Sequence, residues 1–166
     1  EGITYGCNVI YRDYFTDFLF CKDKGISNEV TFAKCWQDRR VYFQHRWRSD
    51  SEVREAYNRI CYWDKDYPDC GTAALRTATV NACKYLNDEW KYPEKTEVHM
   101  IGFDYDRTGK HNNIYKGSNN YPLKLNPKTF PSKEFLETFK LYPQMNFVQY
   151  GNWADELNEY ENVRLA

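Results

Sequence analysis

The chain has 166 residues with 23 basic and 24 acidic side chains, a net charge of −1, so it carries no bulk field to draw it to nucleic acid or an anionic membrane. No stretch approaches the ~18 consecutive apolar residues of a membrane-spanning helix. The 42% hydrophobic fraction leans on aromatics, with 15 Tyr, 10 Phe and 5 Trp, and the length and lack of linkers or repeats argue one domain over residues 1–166.

In chain order, Gly6 to Tyr11 reads as a strand. Tyr14, Phe15, Phe18 and Leu19 then fall at helical spacing, with Asp13 as N-cap and Gly25 as stop. Val30 to Trp36 and Arg40 to Arg48 are rich in β-formers and flank Gln37-Asp38-Arg39, which predicts a hairpin. On its second strand Val41 and Phe43 share one face with His45 and Trp47, and Tyr42 and Gln44 share the other with Arg46 and Arg48.

Ser49 to Glu52 carries a capping-box pattern, and Val53, Ala56, Tyr57, Ile60 and Cys61 follow at helical spacing. After an acidic loop with Asp64, Asp66 and Asp69, a second helix is predicted from Thr72 to about Trp90, ended by Pro93. Thr96 to Tyr105 reads as a strand, Asp106 to Gly109 as a turn, and 110–130 as a long loop with a short strand at Ile114 to Lys116. Ser132 to Lys140 predicts a helix and Met145 to Tyr150 a strand. The sum is an α+β domain, an antiparallel sheet of about four strands packed against helices.

Six cysteines, Cys7, Cys21, Cys35, Cys61, Cys70 and Cys83, form an even set without a C-x-x-C pair, which fits an oxidised framework better than a zinc or dithiol site. Three disulfides bracing the first half are the expectation, with connectivity open. The start at Glu1, without Met or a leader, fits a secreted, extracellular chain whose signal peptide has been removed. With every thiol paired, no cysteine nucleophile is expected.

Glu97 and His99 lie two apart on a predicted strand, so both project from one face, as a carboxylate and imidazole sharing a proton must. With Arg46 or Arg48 to stabilise phosphate charge they form the enzyme alternative, a small secreted ribonuclease. A polar strand face towards solvent explains the same spacing. Asp104 and Asp106 with Asn112 or Asn113, and the acidic run at Asp64, Asp66 and Asp69, lack the calcium-loop pattern and read as turns, so no metal and no cofactor is expected.

The densest basic and aromatic cluster, Arg40, Tyr42, Arg46, Trp47 and Arg48, has the composition of a partner-binding hot spot. The chain is similar to the small secreted effectors of plant-pathogenic fungi, and within them resembles the Leptosphaeria avirulence-suppressing structural family, the LARS effectors. Its Trp-Arg-hydrophobic-Arg-basic string falls on Trp47-Arg48, with Ser49 in place of the hydrophobic residue and Asp50 in place of the second Arg. That resemblance implies a non-enzymatic virulence or avirulence protein of the apoplast. It would bind a host plant protein or immune receptor as a monomer, with no nucleic acid or membrane partner. A carbohydrate-binding module acting through exposed Tyr and Trp is a third reading.

Overall fold

The computed structural model describes residues 2–44, 60–63, 67–86, 89–91, 96–103, 115, 117–121, 131–151 and 155–166, with the backbone alone at 60–63, 84–86 and 89–91. The chain divides into two compact units, Glu1–Ala74 and Leu75–Ala166.

In the first unit four short strands, β1 (Tyr5–Cys7), β2 (Phe18–Cys21), β3 (Arg40–Gln44) and β4 (Ile60–Trp63), pair in that order, all parallel. Parallel neighbours cannot be joined by a tight turn. A 3-10 turn over Asn8–Arg12 links β1 to β2, and helix α1 (Lys24–Phe32) followed by a 3-10 turn at Cys35–Gln37 links β2 to β3. The hairpin expected around Gln37-Asp38-Arg39 is therefore corrected. Its first strand is instead the end of α1 and the 3-10 turn at Cys35–Gln37, and Lys34, in the left-handed region at φ 55°, turns the chain out of the helix.

The register places Tyr5, Phe18 and Arg40 in one row and Cys7, Phe20 and Tyr42 in the next, on one face. Against this face pack Cys70, Ala73 and Ala74 at the start of α2 (Cys70–Ala82). Asp69 caps that helix, accepting from the Thr72 amide at 2.7 Å, and the Lys22 ammonium donates to the carbonyls of Tyr67 and Pro68 just before it. On the opposite face Leu19, Cys21, Val41 and Phe43 are buried, as are Val9, Ile26 and Val30. Covering both faces is what a parallel sheet requires, and it accounts for the unbroken Phe18-Leu19-Phe20-Cys21 run.

The second unit holds a three-stranded parallel sheet of β7 (Glu97–Ile101), β8 (Asn146–Tyr150) and β9 (Val163–Leu165), with β8 in the centre. Its core joins Met100, Phe147 and Val163 to Phe135 and Phe139 of α3 (Lys133–Leu141) and to Met145, Leu157 and Tyr160. Rings meet edge to face there, Phe135 with Phe139 at 5.0 Å and Phe139 with Phe147 at 4.9 Å. Ser132 caps α3 through the Phe135 amide, and the Asn162 amide donates to the Phe139 and Tyr142 carbonyls at its other end. Between α2 and β7, strands β5 (Lys84–Leu86) and β6 (Glu89–Lys91) form an antiparallel pair where the sequence pattern carried α2 on to Trp90.

The expected antiparallel α+β fold thus gives way to an α/β-type arrangement. Both larger sheets are parallel, and among the described residues helices and 3-10 turns, rather than tight turns, join β1 to β2, β2 to β3, β7 to β8 and β8 to β9. The disulfide bracing is corrected as well: Cys7, Cys21, Cys35, Cys70 and Cys83 carry free thiols. Cys21, Cys35, Cys70 and Cys83 are buried, and Cys7 packs beside Cys70 in the first core, the placing of small hydrophobes. The expected helix from Val53 and the strand at Ile114 to Lys116 lie, apart from Ile60, Cys61 and Tyr115, outside the described residues; Ile60 and Cys61 belong to β4.

Candidate functional site

The outer face of the second sheet is built by strand alternation. Glu97, His99 and Ile101 project from β7 opposite Met100 and Val98. The register sets His99 beside Val148 and then Arg164, and Ile101 beside Tyr150. Four polar side chains converge on this face and connect in a line.

His99 Nε2 lies 3.3 Å from Glu97 Oε2, and His99 Nδ1 lies 2.9 Å from the Tyr150 hydroxyl, which sits diagonally across on β8. The imidazole and phenol rings also stack at 5.7 Å. On the far edge strand, Arg164 Nη2 donates to Glu97 Oε1 at 3.1 Å, crossing β8 to do so. Neighbouring strands stand ~4.8 Å apart, so this bridge spans roughly 10 Å of sheet, a reach that suits an arginine stem. Beneath it Val148 is 1% exposed.

The arrangement fixes the character of each group. The hydrogen bond from Arg164 holds the Glu97 carboxyl below its usual range, and the charges of Arg164 and His99 add to the effect. In the neutral tautomer that satisfies both contacts, Nε2–H donates to Glu97 and Nδ1 accepts from Tyr150 O–H. In the imidazolium, Nδ1–H donates to the Tyr150 oxygen instead. The line Glu97, His99, Tyr150 joins a carboxylate, an imidazole and a hydroxyl in sequence, with the His99 side chain 46% exposed and Tyr150 40% exposed.

Glu97 and His99 do share a face, as their spacing required. Arg164 and Tyr150 were missed. Nothing local announces them, since their approach depends on β7, β8 and β9 pairing across long stretches of chain.

Of the expected partner-binding cluster, Arg40 and Tyr42 fall within the described residues, two apart on β3. Tyr42 is stacked on Phe20 at 4.6 Å with rings 7° from parallel, a packing role, while Arg40 is exposed with its guanidinium 5.7 Å from the Phe18 ring centroid. Arg46, Trp47 and Arg48 lie outside the described residues, as do His45, His111, Asp104 and Asp106. Asp69 serves as a helix cap. Among the described residues no group of three or more His, Cys, Asp or Glu is placed to hold a metal ion, and no helix is long and apolar enough to cross a membrane.

No family model, no curated protein and no solved structure matches this chain.

Proposed function

We propose that the outer face of the second sheet is the working site of a small ribonuclease that cleaves a phosphodiester by proton transfer. The observation that carries this reading is the continuous Glu97, His99, Tyr150 chain with Arg164 at its head. Cleavage of RNA by its own 2′-hydroxyl needs three things: a base for that hydroxyl, a proton for the departing 5′-oxygen, and positive charge near the phosphate oxygens. Glu97, ionised beside Arg164, supplies the base; His99, as imidazolium, supplies the proton; Arg164 supplies the charge. Arg164 takes the part that the sequence pattern assigned to Arg46 or Arg48.

The test is hydrolysis of a short single-stranded oligoribonucleotide by the purified protein. His99→Ala is expected to lower kcat/KM by about 10²- to 10⁴-fold, the usual span for a general acid or base. Equal rates for wild type and His99→Ala would end the proposal.

A second reading, an effector-type protein that binds a host protein, draws on the same face. Ile101 is 77% exposed and pairs in register with Tyr150, 40% exposed, so an aromatic and an aliphatic side chain stand together at the ends of β7 and β8. An exposed aliphatic and aromatic pair of this kind suits the centre of a protein interface. Under this reading an Ile101→Asp protein loses the partner while His99→Ala keeps it.

A further inference from the structure

The contacts that tie His99 also decide which atom can reach a substrate. One ring nitrogen faces Glu97 at 3.3 Å and the other faces the Tyr150 hydroxyl at 2.9 Å. Neither is left to meet a departing oxygen directly. The His99 side chain is itself 46% exposed, but with both its nitrogens engaged the line continues only through the phenol of Tyr150, at the end of β8, 40% exposed and next to the more exposed Ile101.

Resting on the ribonuclease reading, we infer that Tyr150 is a catalytic residue which hands the proton of His99 to the leaving 5′-oxygen of the RNA. In the cleavage step the 2′-oxygen bonds to phosphorus and its proton passes to Glu97. The bond from phosphorus to the 5′-oxygen breaks, that oxygen takes the Tyr150 hydroxyl proton, and the Tyr150 oxygen takes the Nδ1 proton of the imidazolium. The products are a 2′,3′-cyclic phosphate, a free 5′-hydroxyl, neutral His99 and protonated Glu97. Hydrolysis of the cyclic ester runs the transfers backwards. Water bonds to phosphorus and gives a proton to the Tyr150 oxygen, whose own proton moves to Nδ1, while the bond from phosphorus to the 2′-oxygen breaks and Glu97 returns its proton to that oxygen. Charge and protons close over the cycle with no other reactant.

A general acid matters only when the leaving group needs a proton, and this separates Tyr150 from a merely structural tyrosine. The probes are a uridylyl-adenosine dinucleotide, whose leaving group is an alkoxide, and uridine 3′-(4-nitrophenyl phosphate), whose nitrophenolate departs unprotonated. Tyr150→Phe keeps the ring beside His99 and removes only the hydroxyl. Its kcat on the dinucleotide is expected to fall about 100-fold with KM held within about twofold, and its rate on the nitrophenyl ester to stay within about threefold of wild type.

Equal losses on both substrates, or a loss on neither, would overturn the role of Tyr150 while leaving the ribonuclease reading intact. A wild-type protein that cleaves neither substrate would overturn the ribonuclease reading, and the role of Tyr150 with it.

Discussion

Arg164 and Glu97 stand on opposite edge strands of the same three-stranded sheet and join at 3.1 Å across the central strand. The pair ties β9 to β7, which share no ladder, and keeps the Glu97 carboxyl below its ordinary range.

Replacing Arg164 with Met should therefore raise the Glu97 pKa towards that of a free glutamate, read by NMR titration of its side chain. Because the folded value is depressed, whatever this pair adds to stability is present above the unfolded carboxylate pKa and fades as pH falls through the folded value. Arg164→Met should flatten that acid-side slope. An unchanged Glu97 titration would show that the guanidinium is not its partner in solution.

Phe139 touches Phe135, Phe147 and Tyr160 and is 1% exposed. Phe139→Ala should cost about 3–5 kcal/mol in urea unfolding through lost burial and the cavity left behind. A loss under about 1 kcal/mol would mean that the site collapses freely and the ring cluster is not a close-packed core.

Gly6 in β1 is crowded on its side-chain side. A Cβ there would stand 2.6 Å from Ile10 Cγ2 and 2.8 Å from both Thr16 Cγ2 and Thr16 Oγ1. Gly6→Ala should destabilise by about 1–3 kcal/mol, as overpacking does. Gly2→Ala, with nothing within 4 Å, is the matched control and should leave the melting temperature unchanged.

The Cys7 thiol is hydrogen-bonded with Cys70, which together with burial pushes its pKa well up, and burial does the same for Cys21. Since the thiolate is the reactive form, iodoacetamide at neutral pH should leave both unlabelled in the native protein and label both once guanidinium unfolds it. Labelling of unfolded protein only after a reductant is added would show that these sulfurs are joined in solution, contrary to the free thiols of the structure.

The parts of the fold legible in the sequence were those specified by near neighbours. The helix read from Ser132 to Lys140 and the strand read from Met145 to Tyr150 fall within a residue of α3 and β8; Ser132 caps α3, and Phe135, Thr138 and Phe139 are buried along it. Alternation on β3 also put Val41 and Phe43 together on a buried face. Composition misled where a helix is built from β-formers: Val30, Thr31 and Phe32 end α1, whose Ile26 and Val30 are buried four residues apart. Helical spacing misled in the other direction. Tyr14, Phe15, Phe18 and Leu19 look amphipathic, yet Tyr14 and Phe15 are over half exposed and Phe18 opens β2. Strand direction was illegible, because it depends on which distant segments cross over, and the same long-range pairing hid Arg164 and Tyr150 from the Glu97 and His99 pair.

The parallel order of the second sheet bears on how the chain is made. β7 ends at Ile101, and its ladder partner β8 does not begin until Asn146. At about 5–20 residues per second, a ribosome delivers β8 on the order of seconds after β7 has emerged. Through that interval β7 lacks the β8 strand its ladder pairs with, and Val98 and Met100 lack the cover of Phe147. A nascent chain halted between these strands is thus the form most open to chaperones, and to sticking to its neighbours on the same message.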